Sequence, residues 1–165
     1  MAADLTLIPQ QILVGETLYS KAINIILASA QHELLIFDQD LCCGDFCSLQ
    51  NGDLLHKFLS KNANSRLTIV LQNTETLKEK CPRLVNLTYS FGHKMTIYET
   101  NPLAKHAKDC FVIADSQHYI KRIHIDQARF KYAISDIENA TVLKIRFKEI
   151  LEATQHKIAT TKLGL

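Results

Sequence analysis

Glu33-Leu34-Leu35-Ile36-Phe37-Asp38 is a run of four apolar residues closed at each end by a carboxylate. Apolar residues that follow one another without alternating mark a strand buried on both faces, which belongs in a sheet covered on both sides. Arg66-Leu67-Thr68-Ile69-Val70-Leu71 repeats the pattern. Between and around these runs the period changes to that of a helix. Leu18, Ala22, Ile26 and Ala30 recur every fourth residue, which predicts a helix from Glu16 to Gln31. The stretch from Asp38 to Gly52 is polar and reads as a loop, after which Leu54, Leu55, Phe58 and Leu59 return to helical spacing. Pro82 suits a first helical turn, Leu84, Leu87 and Phe91 form its inward stripe, and Gly92 is a natural stop.

Lys94 to Glu99 reads as a third strand, Phe111 to Asp115 as a fourth, and Tyr119 to Ile125 and Ala128 to Ile134 as two more joined by tight turns. Ser135-Asp136-Ile137-Glu138 has the form of a capping box for a last helix. Its core face would carry Ile137, Ala140, Leu143, Phe147, Ile150, Leu151 and Thr154. Strands that alternate with helices require parallel crossovers, and strands that follow one another closely add antiparallel edges. The expected fold class is α/β: a mixed, mainly parallel sheet flanked by helices, ending in a C-terminal helix, with residues 1–165 as one domain.

Size and composition agree with one domain: 165 residues, 47% hydrophobic and 22% charged. No apolar run approaches the ~20 residues that cross a bilayer, so no membrane span is expected. No basic leader with an apolar segment opens the sequence, which implies a cytoplasmic protein. Cys42, Cys43, Cys47, Cys81 and Cys110 form an odd set without a CxxC pair, so reduced thiols are expected. The Cys42, Cys43, Cys47 loop also lacks the second ligand pair that zinc requires, and no metal or other cofactor is implied. Net charge is +2, too small for bulk nucleic-acid binding, but it is unevenly spread. Residues 1–65 carry −4 and the remainder +6.

The segment His106-Ala107-Lys108-Asp109-Cys110-Phe111-Val112-Ile113-Ala114-Asp115 and the strand pair and helix after it resemble one half of the phospholipase D superfamily. The resemblance covers about Glu16 to Gln155, mainly as a succession of elements. In that family an HxKxxxxD motif supplies a histidine nucleophile, a lysine that neutralises phosphate oxygens and an aspartate farther off. This implies phosphodiesterase or nuclease chemistry by His106, Lys108 and Asp115, and a homodimer, because two halves face each other to build one site. The spacing departs from the motif. Six residues, not four, separate Lys108 from Asp115, and aligning on Asp115 puts Lys108 at the histidine's place and Cys110 at the lysine's. Two residues along a strand displace a side chain by about 6.6 Å, too far for a catalytic pair. The downstream GSxN signature is missing as well. The chain is also similar to an uncharacterised bacterial family with this degenerate half-domain, which implies a fold and no function.

Two further groupings come from the residues themselves. His118, Arg122 and His124 differ by even numbers and would share one strand face, where two imidazoles beside a guanidinium could receive phosphate or another anion. Asp38-Gln39-Asp40 closes the first buried strand, as in magnesium-dependent phosphatases with a DxD pair, but no later acidic pair completes that site. The expected function is therefore a catalytically degenerate phospholipase-D-like module that binds an anion or a partner.

Overall fold

Leu34 and Ile36 point to one side of β2 (Glu33–Asp38), Leu35 and Phe37 to the other, and both sides are covered. This computed structural model describes residues 7–61, 63–100 and 107–154, with the backbone of 156–157. Ahead of β2 lie β1 (Leu13–Val14) and α1 (Glu16–Ser29). Next come α2 (Leu49–Lys61), β3 (Arg66–Leu71), the single turn α3 (Leu77–Lys80), α4 (Pro82–Ser90) and β4 (Met95–Glu99). The chain continues through β5 (Cys110–Ala114), β6 (His118–His124), β7 (Gln127–Ala133), α5 (Ile137–Glu152) and β8 (His156–Lys157).

The strands form one eight-stranded sheet in the order β1-β7-β6-β5-β2-β3-β4-β8. It is mixed, as expected, but only the β2–β3 and β3–β4 pairs are parallel, and the other five are antiparallel. The antiparallel share exceeds the expectation because β5, β6 and β7 are joined by connections of two or three residues, which allow only hairpins.

Helices α1, α2 and α4 cover one face. Leu18, Ala22, Ile23 and Ile26 of α1 pack there with Leu55, Phe58 and Leu59 of α2 and Leu84 and Leu87 of α4. The opposite face is covered by α5, whose Ala140, Leu143 and Phe147 meet Phe37, Phe111 and Ile113. Three local readings are corrected. The helix cap is Asp136, whose carboxylate accepts from the Asn139 amide at 3.2 Å. Ser135 has a left-handed φ of 59° and gives its own amide to His118 instead. Ile137 is 64% exposed and so lies off the core face. Helix α2 begins inside the expected loop because the Ser48 hydroxyl accepts from the Asn51 amide, as an N-cap does.

The loop between β2 and α2 is packed rather than solvated. Leu41 and Phe46 are buried, and a Cβ at Gly44 (φ 86°) would come within 3.1 Å of Tyr19, Ile23 and Phe46. Cys47 is joined to Cys81 as a disulfide, against the expectation of five reduced thiols. It ties the loop to the start of α4, a proximity that the sequence spacing of 34 hides.

Candidate functional site

Two regions of the sheet carry the polar residues that the sequence singles out, and they lie on opposite faces. On the α1 face, at the carboxyl end of β2, Asp38 is 4% exposed. Its Oδ1 accepts from the amides of Asp40 and Leu41, both at 3.3 Å. Burial pushes its carboxyl up to about 6, and the backbone amides of Leu41, Asp40 and Gln39 hold it from going higher. Cys110 lies beside it, and burial pushes that thiol well up, so it stays protonated.

Cys110 pairs across β5–β6 with Arg122, which is 2% exposed. The guanidinium makes a bidentate contact with Glu16 at 2.7 and 3.1 Å and donates to the carbonyls of His124 and Ile125 at 3.1 and 3.0 Å. It also lies 4.9 Å from the centre of the Tyr19 ring. The Arg122 hydrogen bonds hold the Glu16 carboxyl below the ordinary range. Four of the five donors of Arg122 are thus taken within the chain. The space left between Asp38, Asp40, Cys43, Cys110 and Arg122 is about 10 Å³. That is room for one water and not for a phosphate.

The residues of the expected anion site do not converge. His118 and Arg122 share a face but stand about 13 Å apart at strand rise. The Nδ1 of His118 accepts from the Ser135 amide at 2.9 Å. A bulge between Arg122 and His124 breaks the alternation that put them together, and the Nδ1 of His124 accepts from the Asp126 amide. His106 lies outside the described residues. Lys108 is exposed and lines the opposite, α5 face. Asp115, with φ 55°, accepts from the amides of Gln31, His32 and Glu33 at 2.8, 2.7 and 3.0 Å, which gives it a structural role at the start of β2. Among the described residues no group of His, Cys, Asp and Glu could hold a metal ion, and Cys47 of the cysteine loop is committed to the disulfide.

On the α5 face a groove of about 570 Å³ runs between α5 and the β6–β7 hairpin. Four cations line it: Lys108, Lys121, Lys131 and Arg146. Asp109 is the single carboxylate among the described residues that line it, 2.7 Å from Arg146 and 3.9 Å from Lys121. Lys121 and Lys131 are direct cross-strand partners, a like-charge placement that costs stability in a sheet. Among the described residues neither Lys108 nor Lys131 has a carboxylate within ion-pairing distance, and the buried Nε of Arg146 has no acceptor. The groove is therefore lined by more cations than carboxylates, with Asp136 acting on Lys131 from beside it. Sequence reasoning misses it because His118, Arg122 and His124 make the even positions of β6 look like the polar face. The odd positions Lys121 and Lys131, brought into register by the short hairpin, were the signal.

A family model described as a domain of unknown function, DUF7931, matches residues 16–163. No curated protein matches the sequence. Among solved structures, the archaeal chromatin protein TrmBL2, described as showing a novel mode of DNA binding, is similar at 16% identity and a TM-score of 0.64. The match covers 91% of this chain and 55% of that one, so the chain spans about half the length of TrmBL2. Nuc from Salmonella typhimurium, described as a phospholipase D family member, is similar at 9% identity with a TM-score of 0.62, over 88% of this chain and 96% of that one. NucT from Helicobacter pylori is similar at 12% identity with a TM-score of 0.56, over 87% and 96%. At these identities the likeness is one of fold, and the fold is that of the phospholipase D relatives. No described helix is long and apolar enough to cross a membrane.

Proposed function

The chain belongs to the DUF7931 family of domains of unknown function, and from that premise we propose that it is a phospholipase-D-like module without the catalytic pair that receives an anionic partner in the α5-face groove. Loss of catalysis is supported by the separation of the motif positions. Lys108 turns to the groove while Cys110 sits on the other face, beside a cavity too small for a phosphodiester. Buried Arg122 is left out of the binding site because Glu16 already neutralises it.

The observation that carries the reading is the Lys121–Lys131 pair, where among the described residues only Lys121 reaches a carboxylate, Asp109, which Arg146 already holds. Like charges held opposite each other in a sheet are relieved when an anion lies between them. The DNA binding stated for TrmBL2 brings nucleic acid into the panel of anions to test. A homodimer is part of the proposal by analogy with the paired halves of the resembled superfamily.

The test is fluorescence anisotropy with labelled polyglutamate and labelled DNA. Saturable binding is expected, retained in His124→Ala and lost in the Lys121→Glu/Lys131→Glu double variant. A chromogenic phosphodiester should not be hydrolysed. Binding that survives the double charge reversal, or turnover that disappears in His106→Ala, overturns the reading. Light scattering that reports a monomer at all concentrations removes the dimer.

A further inference from the structure

The α5-face groove is not lined by charge alone. Ile12 beside β1, Ile123 on β6 and Val142 on α5 are 55%, 40% and 62% exposed, and all three line it. Ile145, one turn beyond Val142, is 54% exposed on the same helix. Single exposed aliphatics are ordinary, but several converging on one polar-rimmed depression mark a surface meant to be covered. Lys108, Lys121, Lys131 and Arg146 line the same groove, so the surface presents aliphatic contact among positive charges.

That combination discriminates among anions. A nucleic-acid strand pairs its phosphates with lysine and arginine and stacks its bases on exposed aromatic faces. Among the described residues the one aromatic ring in this groove, Tyr119, is 3% exposed and offers no stacking face. Ile12, Ile123 and Val142 would gain nothing from a phosphodiester backbone. A second copy docking the same groove would set four cations against four, which is repulsive in a largely desolvated interface. A protein segment that carries leucine, isoleucine or valine beside aspartate or glutamate satisfies both features, with its aliphatics against Ile12, Ile123 and Val142 and its carboxylates on the cations.

Resting on the reading of the groove as an anion site, we infer that its partner is an acidic, aliphatic segment of another protein, held by Lys121, Lys131 and Arg146 around Ile12, Ile123 and Val142. Anisotropy with three labelled probes separates this inference from the reading beneath it: a short leucine–glutamate peptide, polyglutamate of the same net charge, and a DNA oligonucleotide. The leucine–glutamate peptide should bind at least about tenfold more tightly than the other two. Ile123→Ser and Val142→Ser, both at exposed positions, should remove that advantage while leaving polyglutamate binding unchanged. Equal or tighter binding of DNA or polyglutamate overturns the peptide partner and leaves the anion groove standing. Self-association that Val142→Lys abolishes makes a second copy the occupant and also overturns it. Binding of none of the probes overturns both.

Discussion

Asp38 ends β2 inside the protein, and Tyr19, Cys43, Cys110 and Arg122 surround it. Burial raises its carboxyl to about 6, against about 3.9 for a free aspartate. The folded chain therefore binds this proton more tightly than the unfolded chain does. The stabilising contribution is complete below about pH 4 and is lost as pH rises through 6. Ionisation at neutral pH costs up to about 3 kcal/mol, the shift of roughly two units converted at 1.36 kcal/mol each. Asp38→Asn keeps an oxygen for the Asp40 and Leu41 amides and removes the charge. Urea unfolding should show the variant more stable than the parent at pH 8, with the difference gone at pH 4. Equal midpoints at both values would mean that the ionised carboxylate is solvated after all. Glu16 and Arg122 differ from this case, because the buried cation has a partner whose side chain is 58% exposed. Screening by water then limits what the pair contributes.

At the scale of elements, Asp115 shows why a motif can be legible while its use is not. The acid at the end of β5 stands out in the sequence. In the fold its carboxylate gathers three amides at the α1–β2 junction, and its φ of 55° disfavours other side chains. Asp115→Ala should lower stability by about 2 kcal/mol, since two of the three amides are exposed enough to recover water. Asp115→Asn, which keeps one acceptor oxygen, should lose less. Because asparagine tolerates the positive φ as aspartate does, thermal melts of the two variants test backbone strain: equal losses would exclude strain and assign the effect to the lost carboxylate acceptor. The main strands and helices were legible because burial on two faces and the fourfold spacing of α1 leave direct marks on residue order. Three features left none. The β6 bulge reverses parity without a glycine to announce it, so residue order alone puts Arg122 and His124 on one face. The cap moved by one residue because Ser135 and Asp136 are both good caps, and only the contact with His118 decides between them. The disulfide joins cysteines whose proximity depends on how the loop after β2 folds back on α4.

Across the whole molecule, the uneven charge of the chain becomes a difference between faces. The acidic first part supplies α1, α2 and β2, while β6, β7 and α5 from the basic remainder enclose the groove. Binding that depends on this arrangement must weaken with salt, because added ions screen exposed charges beyond a Debye length of about 8 Å at physiological strength. The dependence should be carried by one face only. With a labelled polyanion, Lys121→Ala and Lys131→Ala should each flatten the decline of affinity with salt, by about one unit of log–log slope when the probe is DNA. Lys57→Ala, on α2 across the sheet, should leave the slope as it was. If all three variants change it alike, the chain acts through overall charge and the groove has no privileged part. If only the groove lysines change it, the surplus cations act together at one place.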